Sequence, residues 1–183
     1  MTDVFCQLLQ DNLSHVRAYA RSLCRNADAA DDLVQDALVR AWSARHQFTV
    51  GTNFKAWIFT ILRNRFLDQC RRDRELKQRL SDATREYGTV APSQEVIMQF
   101  DDMARAFWQL SPHHREILML AGANGLSYEE AAKVVGCAVG TVRSRLSRAR
   151  AELQAVLERR DGHKALRRTA KGKVEFLRLL RAA

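Results

Sequence analysis

GLSYEEAAKVVGCAVGTVRSRLSRAR, residues 125–150, is the stretch whose reading decides the fold. Ser127 is followed three positions later by Glu130, the capping-box spacing in which each side chain satisfies a free backbone N–H at a helix start. Gly136 ends that helix after about two turns, because glycine adopts the left-handed conformation that other residues resist. A second helix begins within four residues, and the small side chains of Ala131 and Ala132 let the two helices approach closely. Helix, tight turn and helix make a helix-turn-helix, whose second helix can enter a DNA major groove.

The faces of that second helix follow from spacing. Val142, Leu146, Ala149 and Leu153 recur at i, i+4, i+7 and i+11 and are expected in the core. Arg143, Ser144, Ser147 and Arg148 lie on another face, and no acid interrupts residues 137–150. Guanidinium bonds guanine O6 and N7 together, and serine reaches bases or phosphates, so this residue set suits DNA. A solvated basic surface is the plain alternative, but the cap, the glycine stop, the alanine pair and the acid-free face together favour DNA binding.

Upstream, helical periodicity dominates. Phe5, Leu8, Leu9, Val16, Tyr19, Ala20 and Leu23 predict a helix over about 3–24. Asp28 is the expected N-cap of a second helix, with Ala30, Leu33, Val34, Ala37, Leu38, Ala41 and Trp42 on its apolar side. Asn53 is expected to cap a third, carrying Phe54, Trp57, Ile58, Ile61, Leu62 and Phe66. Its polar stripe is Thr60, Arg63, Asn64 and Arg71. The pattern fades from Arg74 to about Gln94, where glycine, proline and serine mark a linker. It returns at Val96, Phe100, Ala104, Phe107 and Leu110, and Ser111-Pro112 reads as N-cap and first residue of a further helix.

Composition limits the rest. The 183 residues carry 30 lysines and arginines against 21 acids, a formal charge of +9, with 46% hydrophobic residues and two prolines. That composition supports a packed, helix-rich core. The excess charge is concentrated in the last 23 residues, which hold seven basic and two acidic side chains. Cys6, Cys24, Cys70 and Cys137 are too far apart in sequence for a CxxC pair or a compact disulfide framework, so reduced thiols and a cytoplasmic setting are expected. No apolar run reaches the ~18–20 residues of a membrane span, and no signal segment opens the chain, so no membrane role is expected. There is no GxxxxGK loop, paired metal ligand or nucleophile–base motif, and His15, His46, His113, His114 and His163 are scattered. The chain is therefore expected to be no enzyme and to use no cofactor or metal.

DDLVQD (31–36) with Ala41-Trp42, FKAWIFTILRN (54–64) with Asp68, and GTVRSRLSRAR (140–150) closely resemble bacterial sigma factors of the extracytoplasmic-function type, in order and over about residues 5–158. GTNF (51–54), AGANGLSYEEAA (121–132) and GCAVGT (136–141) resemble, more narrowly, the alphaproteobacterial general-stress-response subgroup. The resemblance implies an all-α protein of two small helical domains joined by a flexible linker. Residues 1–75 would form sigma region 2, 76–94 the linker, 95–160 sigma region 4 with the helix-turn-helix, and 161–183 a basic tail.

The implied function is transcription initiation: binding core RNA polymerase, recognising −35 and −10 promoter elements and assisting melting, for stress-response genes. Asp32, Leu33, Gln35, Asp36 and Arg40 would contact core polymerase. Asn53, Arg63, Asn64, Asp68 and Arg71, with the loop His46 to Asn53, would handle the −10 element, where a melted strand needs cations for phosphates and pockets for bases. Arg143, Ser144, Ser147 and Arg148 would read the −35 element, with Thr141, Arg145 and Arg150 on phosphates. The partners implied are core polymerase, promoter DNA and a small anti-sigma protein. Alternatives are a sigma mimic that sequesters an anti-sigma protein, and a helix-turn-helix regulator acting without polymerase. Two features depart from the family: Ser111-Pro112 in place of a common Leu-Pro, and the tail HKALRRTAKGK (163–173) with the apolar positions after it.

Overall fold

A computed structural model describes residues 2–24, 26–83 and 102–161; the expected linker core and the basic tail lie outside them. Among the described residues there are seven α-helices and no strand. Helices α1 (Thr2–Leu23), α2 (Ala27–Ser43) and α3 (Phe54–Ala83) form the first unit. Helices α4 (Asp102–Gln109), α5 (Pro112–Ile117), α6 (Tyr128–Val135) and α7 (Val139–Asp161) form the second.

The first unit buries much of the stripe read from its sequence: Val16, Tyr19 and Ala20 from α1, Ala30, Leu33, Val34, Ala37 and Ala41 from α2, and Ile58 and Leu62 from α3, with Phe59, which was not placed on that stripe, buried beside them. Two details differ. The N-cap of α2 is Asn26 rather than Asp28: its side-chain oxygen accepts the N–H groups of Asp28 at 2.7 Å and Ala29 at 3.3 Å. Asp28 instead occupies the first turn, where its charge favours the positive end of the helix dipole. Trp42, expected in the core, is 40% exposed and lies beneath the Arg45 guanidinium, 5.0 Å from ring centre to Cζ. Helix α3 continues past the fading of its apolar pattern and ends at Ala83.

In the second unit the local signals act as read. Ser111 accepts the His114 N–H at 3.3 Å, and Pro112 opens α5. Ser127 Oγ accepts the Glu130 N–H at 3.1 Å, while Glu130 Oε2 accepts the Ser127 N–H at 2.8 Å, closing the capping box. Gly136 takes φ 70° and ends α6. Val142, Leu146 and Ala149 are buried, but Leu153 is only half-buried, and Val156 carries the buried stripe onward. One element was not expected: a short π-helical segment, Leu118–Ala123, widens the chain after α5. An extra residue in a helical turn rotates the downstream chain relative to the upstream helix. Here it brings Asn124 inward, with its Nδ2 donating to the Met119 carbonyl at 2.8 Å.

The two units pack against each other, α3 against α6 and α1 against α5. One continuous apolar cluster runs from Phe5, Tyr19 and Phe59 to Ile117, Leu120 and Leu146.

Candidate nucleic-acid interface

Core residues Val142, Leu146 and Ala149 fix the rotation of α7, and the helix period then decides what faces outward. Arg143, Ser144, Ser147, Arg148 and Arg150 are exposed, whereas Thr141 and Arg145 are half-buried at the edge of this face. Ser144 Oγ donates to the Thr141 carbonyl at 3.1 Å, holding its hydroxyl close to the helix. The Arg143 guanidinium stands over the ring of Tyr128, the first residue of α6. Gly140 has open space where a side chain would stand, so the backbone at this helix start is accessible. Cationic forks, small hydroxyls and exposed backbone on one convex helix are the equipment for reading a duplex groove.

The second region lies on α3 and the loop before it. Phe48, in that loop, is buried and packs edge-on against Phe54 at 5.1 Å and beside Trp57 at 5.4 Å. Phe5 joins the same cluster at 5.5 Å from Phe54, so aromatic packing anchors the loop at its base. Above the anchor, Thr52 N–H and Oγ1 both bond the Thr49 carbonyl, and Gly51 turns the chain at φ 94°. Val50 is left 65% exposed at the tip. Trp57 and Phe66 are half-buried packing residues rather than free stacking platforms.

Between this loop, the end of α2 and α3 lies a cleft of about 610 Å³, with Asn64 and Asp68 in its wall beside Gln47, Thr60 and Arg65. Arg65 was not assigned to this site from sequence, Gln47 entered only as part of the His46 to Asn53 loop and Thr60 only as part of the polar stripe, where Thr60, Asn64 and Asp68 share a face at i, i+4 and i+8. Arg71 is exposed one turn beyond Asp68. Arg63 and Asn53 do not face this cleft. Arg63 Nε donates to Glu116 Oε1 at 2.7 Å, and Asn53 Nδ2 donates to Glu130 Oε1 at 2.8 Å. Asn53 Oδ1 also accepts the Ala56 N–H at 3.2 Å, so it caps α3 as expected.

On α2, Asp32, Gln35 and Arg40 are exposed. Asp36 is half-buried and pairs with Arg65 Nη2 at 2.8 Å. Leu33 is fully buried, which corrects its expected place among the polymerase contacts: its side chain supports the exposed face from beneath. Val39, 68% exposed, and Trp42 provide that face's apolar surface, beside a groove of about 390 Å³ shared with Leu9 and Leu13 of α1.

Electrostatics follow from these contacts. The Ser127 N–H bond, chiefly, holds the Glu130 carboxyl below the usual glutamate value, so it remains an anionic acceptor. Burial, then the adjacent Glu116 charge, raises the Tyr19 phenol well above its usual value, which keeps it a donor. No described helix is long and apolar enough to cross a membrane.

Residues 8–75 match the family model of Sigma-70 region 2, and residues 101–153 match that of Sigma-70, region 4. The chain is 45% identical over 145 residues to the ECF RNA polymerase sigma factor EcfG of Rhodopseudomonas palustris, covering 78% of each sequence. The fold is similar to that of the sigma factor RpoE in its complex with the anti-sigma factor NepR from Bartonella quintana, with TM-score 0.72 and 43% identity over 86% of this chain and 98% of that one. It is also similar to CnrH in complex with the cytosolic domain of CnrY, with TM-score 0.61 and 30% identity over 86% of this chain and 90% of that one. Two regions of one family in order, with that identity over more than three quarters of both sequences, show that the chain belongs to the extracytoplasmic-function RNA polymerase sigma factors.

Proposed function

We propose that this sigma factor engages core RNA polymerase through the exposed face of α2, reads the −35 element with α7 and handles the −10 element with α3 and its preceding loop. In this reading Arg143, Ser144, Ser147 and Arg148 contact −35 base edges, and Thr141, Arg145 and Arg150 contact phosphates. Asn64 and Asp68 line the cleft that receives a base of the melted −10 strand, while Asn53, Arg63 and Arg71 bind its backbone. Asp32, Gln35, Asp36 and Arg40 meet the polymerase, joined by Val39 and Trp42. The division of roles puts the −10 and polymerase surfaces in the unit read as residues 1–75, the −35 surface in 95–160, and a linker between them.

The observation that carries the reading is the exposed, acid-free Arg143–Arg148 face on one unit, together with a cleft on the other that has Asn64 and Asp68 in its wall and room for a base. A regulator acting without polymerase has no use for the second of these. Similarity to sigma factors solved with NepR and CnrY supports a small anti-sigma partner that competes with polymerase, and similarity to EcfG supports a role at stress-response promoters. The protein works in the cytoplasm and supplies recognition and melting, while the polymerase supplies the chemistry.

Run-off transcription with core polymerase on pooled genomic fragments tests the proposal. Discrete transcripts dependent on this protein, sharing two upstream elements, are expected. Their absence with a core that is active under another sigma factor would turn the assignment toward a mimic.

A further inference from the structure

The cleft that holds Asn64 and Asp68 carries cations that the −10 reading leaves unused. Arg65 of α3 and Arg40 of α2 stand in its walls. Arg65 Nη2 donates to Asp36 Oδ2 at 2.8 Å, which ties the guanidinium to α2 across the helix pair. Its Nε is buried and has no hydrogen-bond partner among the described residues, so the bond to Asp36 is the one polar tie they give it. The Arg65 side chain nevertheless keeps 29% of its surface exposed. A guanidinium carries five N–H donors in a fixed fork, so its terminal nitrogens retain donors after one is spent on Asp36.

Chemistry divides the roles in this cleft. Ionised Asp68 only accepts hydrogen bonds, so it meets the amino group of a base and repels a phosphate. Asn64 both donates and accepts, which also suits a base edge. A captured base brings its own backbone charge, and a cation has to lie close to it. Arg63 leaves α3 on the side of Glu116, so it serves a phosphate elsewhere on the strand and not one at the cleft. Arg40 is exposed and belongs to the polymerase-facing set. Arg65 is already held by Asp36, so it loses less rotamer freedom on binding, and its planar fork matches two phosphate oxygens. The Asp36 side chain is 47% exposed, so solvent screens its charge, and it steers the guanidinium more than it neutralises it.

We propose that Arg65 binds the backbone phosphate beside the base captured in the cleft, through the guanidinium edge that Asp36 leaves open, and that Asp36 is its positioning residue. This rests on the assignment of the cleft to the −10 strand. Helix α2 thereby takes part in strand binding as well as in polymerase docking, since the residue that aims Arg65 stands on it.

The test uses the holoenzyme, assembled with excess core polymerase, and the anisotropy of a labelled single-stranded non-template −10 oligonucleotide. Arg65→Gln is expected to weaken binding about tenfold, the low end for one charge-assisted hydrogen bond. The slope of log affinity against log salt should fall by about 0.7, the share of one single-strand phosphate. Arg65→Lys should restore the slope but only part of the affinity, because the charge returns without the fork. A neutral methylphosphonate, placed at each linkage in turn, should cost the wild type about tenfold at one linkage beside the captured base and cost Arg65→Gln nothing there. Asp36→Asn is expected to weaken binding about threefold alone and not at all on top of Arg65→Gln, the non-additivity of a residue that acts through another. A loss on Arg65→Gln that varies with the captured base, at an unchanged salt slope, would make Arg65 a base reader and overturn the phosphate assignment. An equal effect of Asp36→Asn with and without Arg65 would remove Asp36 as its positioning residue. Full affinity in Arg65→Gln beside a loss in Asn64→Ala overturns the proposal and leaves the −10 cleft standing. Full affinity in both overturns it through the cleft assignment.

Discussion

The Arg143 guanidinium carbon lies 5.6 Å from the centre of the Tyr128 ring, so the two helices of the helix-turn-helix touch on their exposed side as well as in their core. The ring is 37% exposed and stands at the start of α6, where the capping box fixes the backbone. A cation over an aromatic face is restricted in the directions it can point, so Tyr128 positions the arginine assigned to base reading.

Arg143→Ala is expected to cost about 1–3 kcal/mol on a matched −35 site and much less on a scrambled one. Tyr128→Leu keeps Arg143 and is expected to lose about 0.5–1 kcal/mol of the same discrimination. Binding of paired matched and scrambled duplexes measures both. Equal losses on the two duplexes would remove Arg143 from base reading.

Gly136 closes α6 at φ 70°, and a Cβ there meets nothing within 4 Å. The cost of Gly136→Ala is therefore backbone strain without a clash, about 1–2 kcal/mol for an L-residue in the left-handed region. Denaturant unfolding should register that loss, and Gly136→Asn should lose less, since asparagine tolerates this conformation. Equal stability for alanine and glycine would show that the turn relaxes.

The depressed Glu130 pKa makes its contribution pH-dependent in a definite direction. The carboxylate is bonded first by the Ser127 N–H and then by Asn53, so the stability it adds is complete above the ordinary glutamate value of 4.5 and is lost as the pH falls below it. The stability difference between wild type and Glu130→Gln should thus be constant near neutrality and shrink in acid. A difference that persists unchanged to low pH would assign it to packing instead.

Burial, then the neighbouring Cys70, pushes the Cys24 thiol up to about 11. Only about one molecule in a thousand carries the thiolate at pH 8, and alkylation proceeds through the thiolate. Iodoacetamide labelling followed by peptide mass spectrometry should show Cys24 reacting slowly, with a rate rising about tenfold per pH unit up to that value. A rate independent of pH would mean that access, rather than ionisation, limits the reaction.

Much of this protein was legible because its signals are local. Ser127, Glu130 and Gly136 fix a helix and its end within ten positions, through bonds to nearby backbone. The exposed side of α7 then follows from the helix period once Val142 and Leu146 are assigned inward. Local reading failed where two residues competed for one role or where a neighbour out of sequence decided the matter. Asn26 and Asp28 are both good capping residues, and the one immediately before the first turn took the N–H groups. Trp42 sits on the right stripe of α2, yet Phe5 meets it edge-on at 6.1 Å and leaves 40% of it exposed, while Phe48 in a loop is buried because Phe5, Phe54 and Trp57 surround it.

Chain-local chemistry was enough to set the apolar faces of the main helices, the helix-turn-helix and the residue types on the exposed face of α7, because caps, glycines and a 3.6-residue period act within a turn or two. Three-dimensional packing was needed to place Leu33 beneath the face it was assigned to, to bring Asn64 and Asp68 into one cleft, and to set Glu116 on Arg63 and Glu130 on Asn53. Those pairings join residues 53 and 77 positions apart, where no periodicity reaches, and they arise from closing one unit on the other, which buries Glu116 and holds Arg63 beside it.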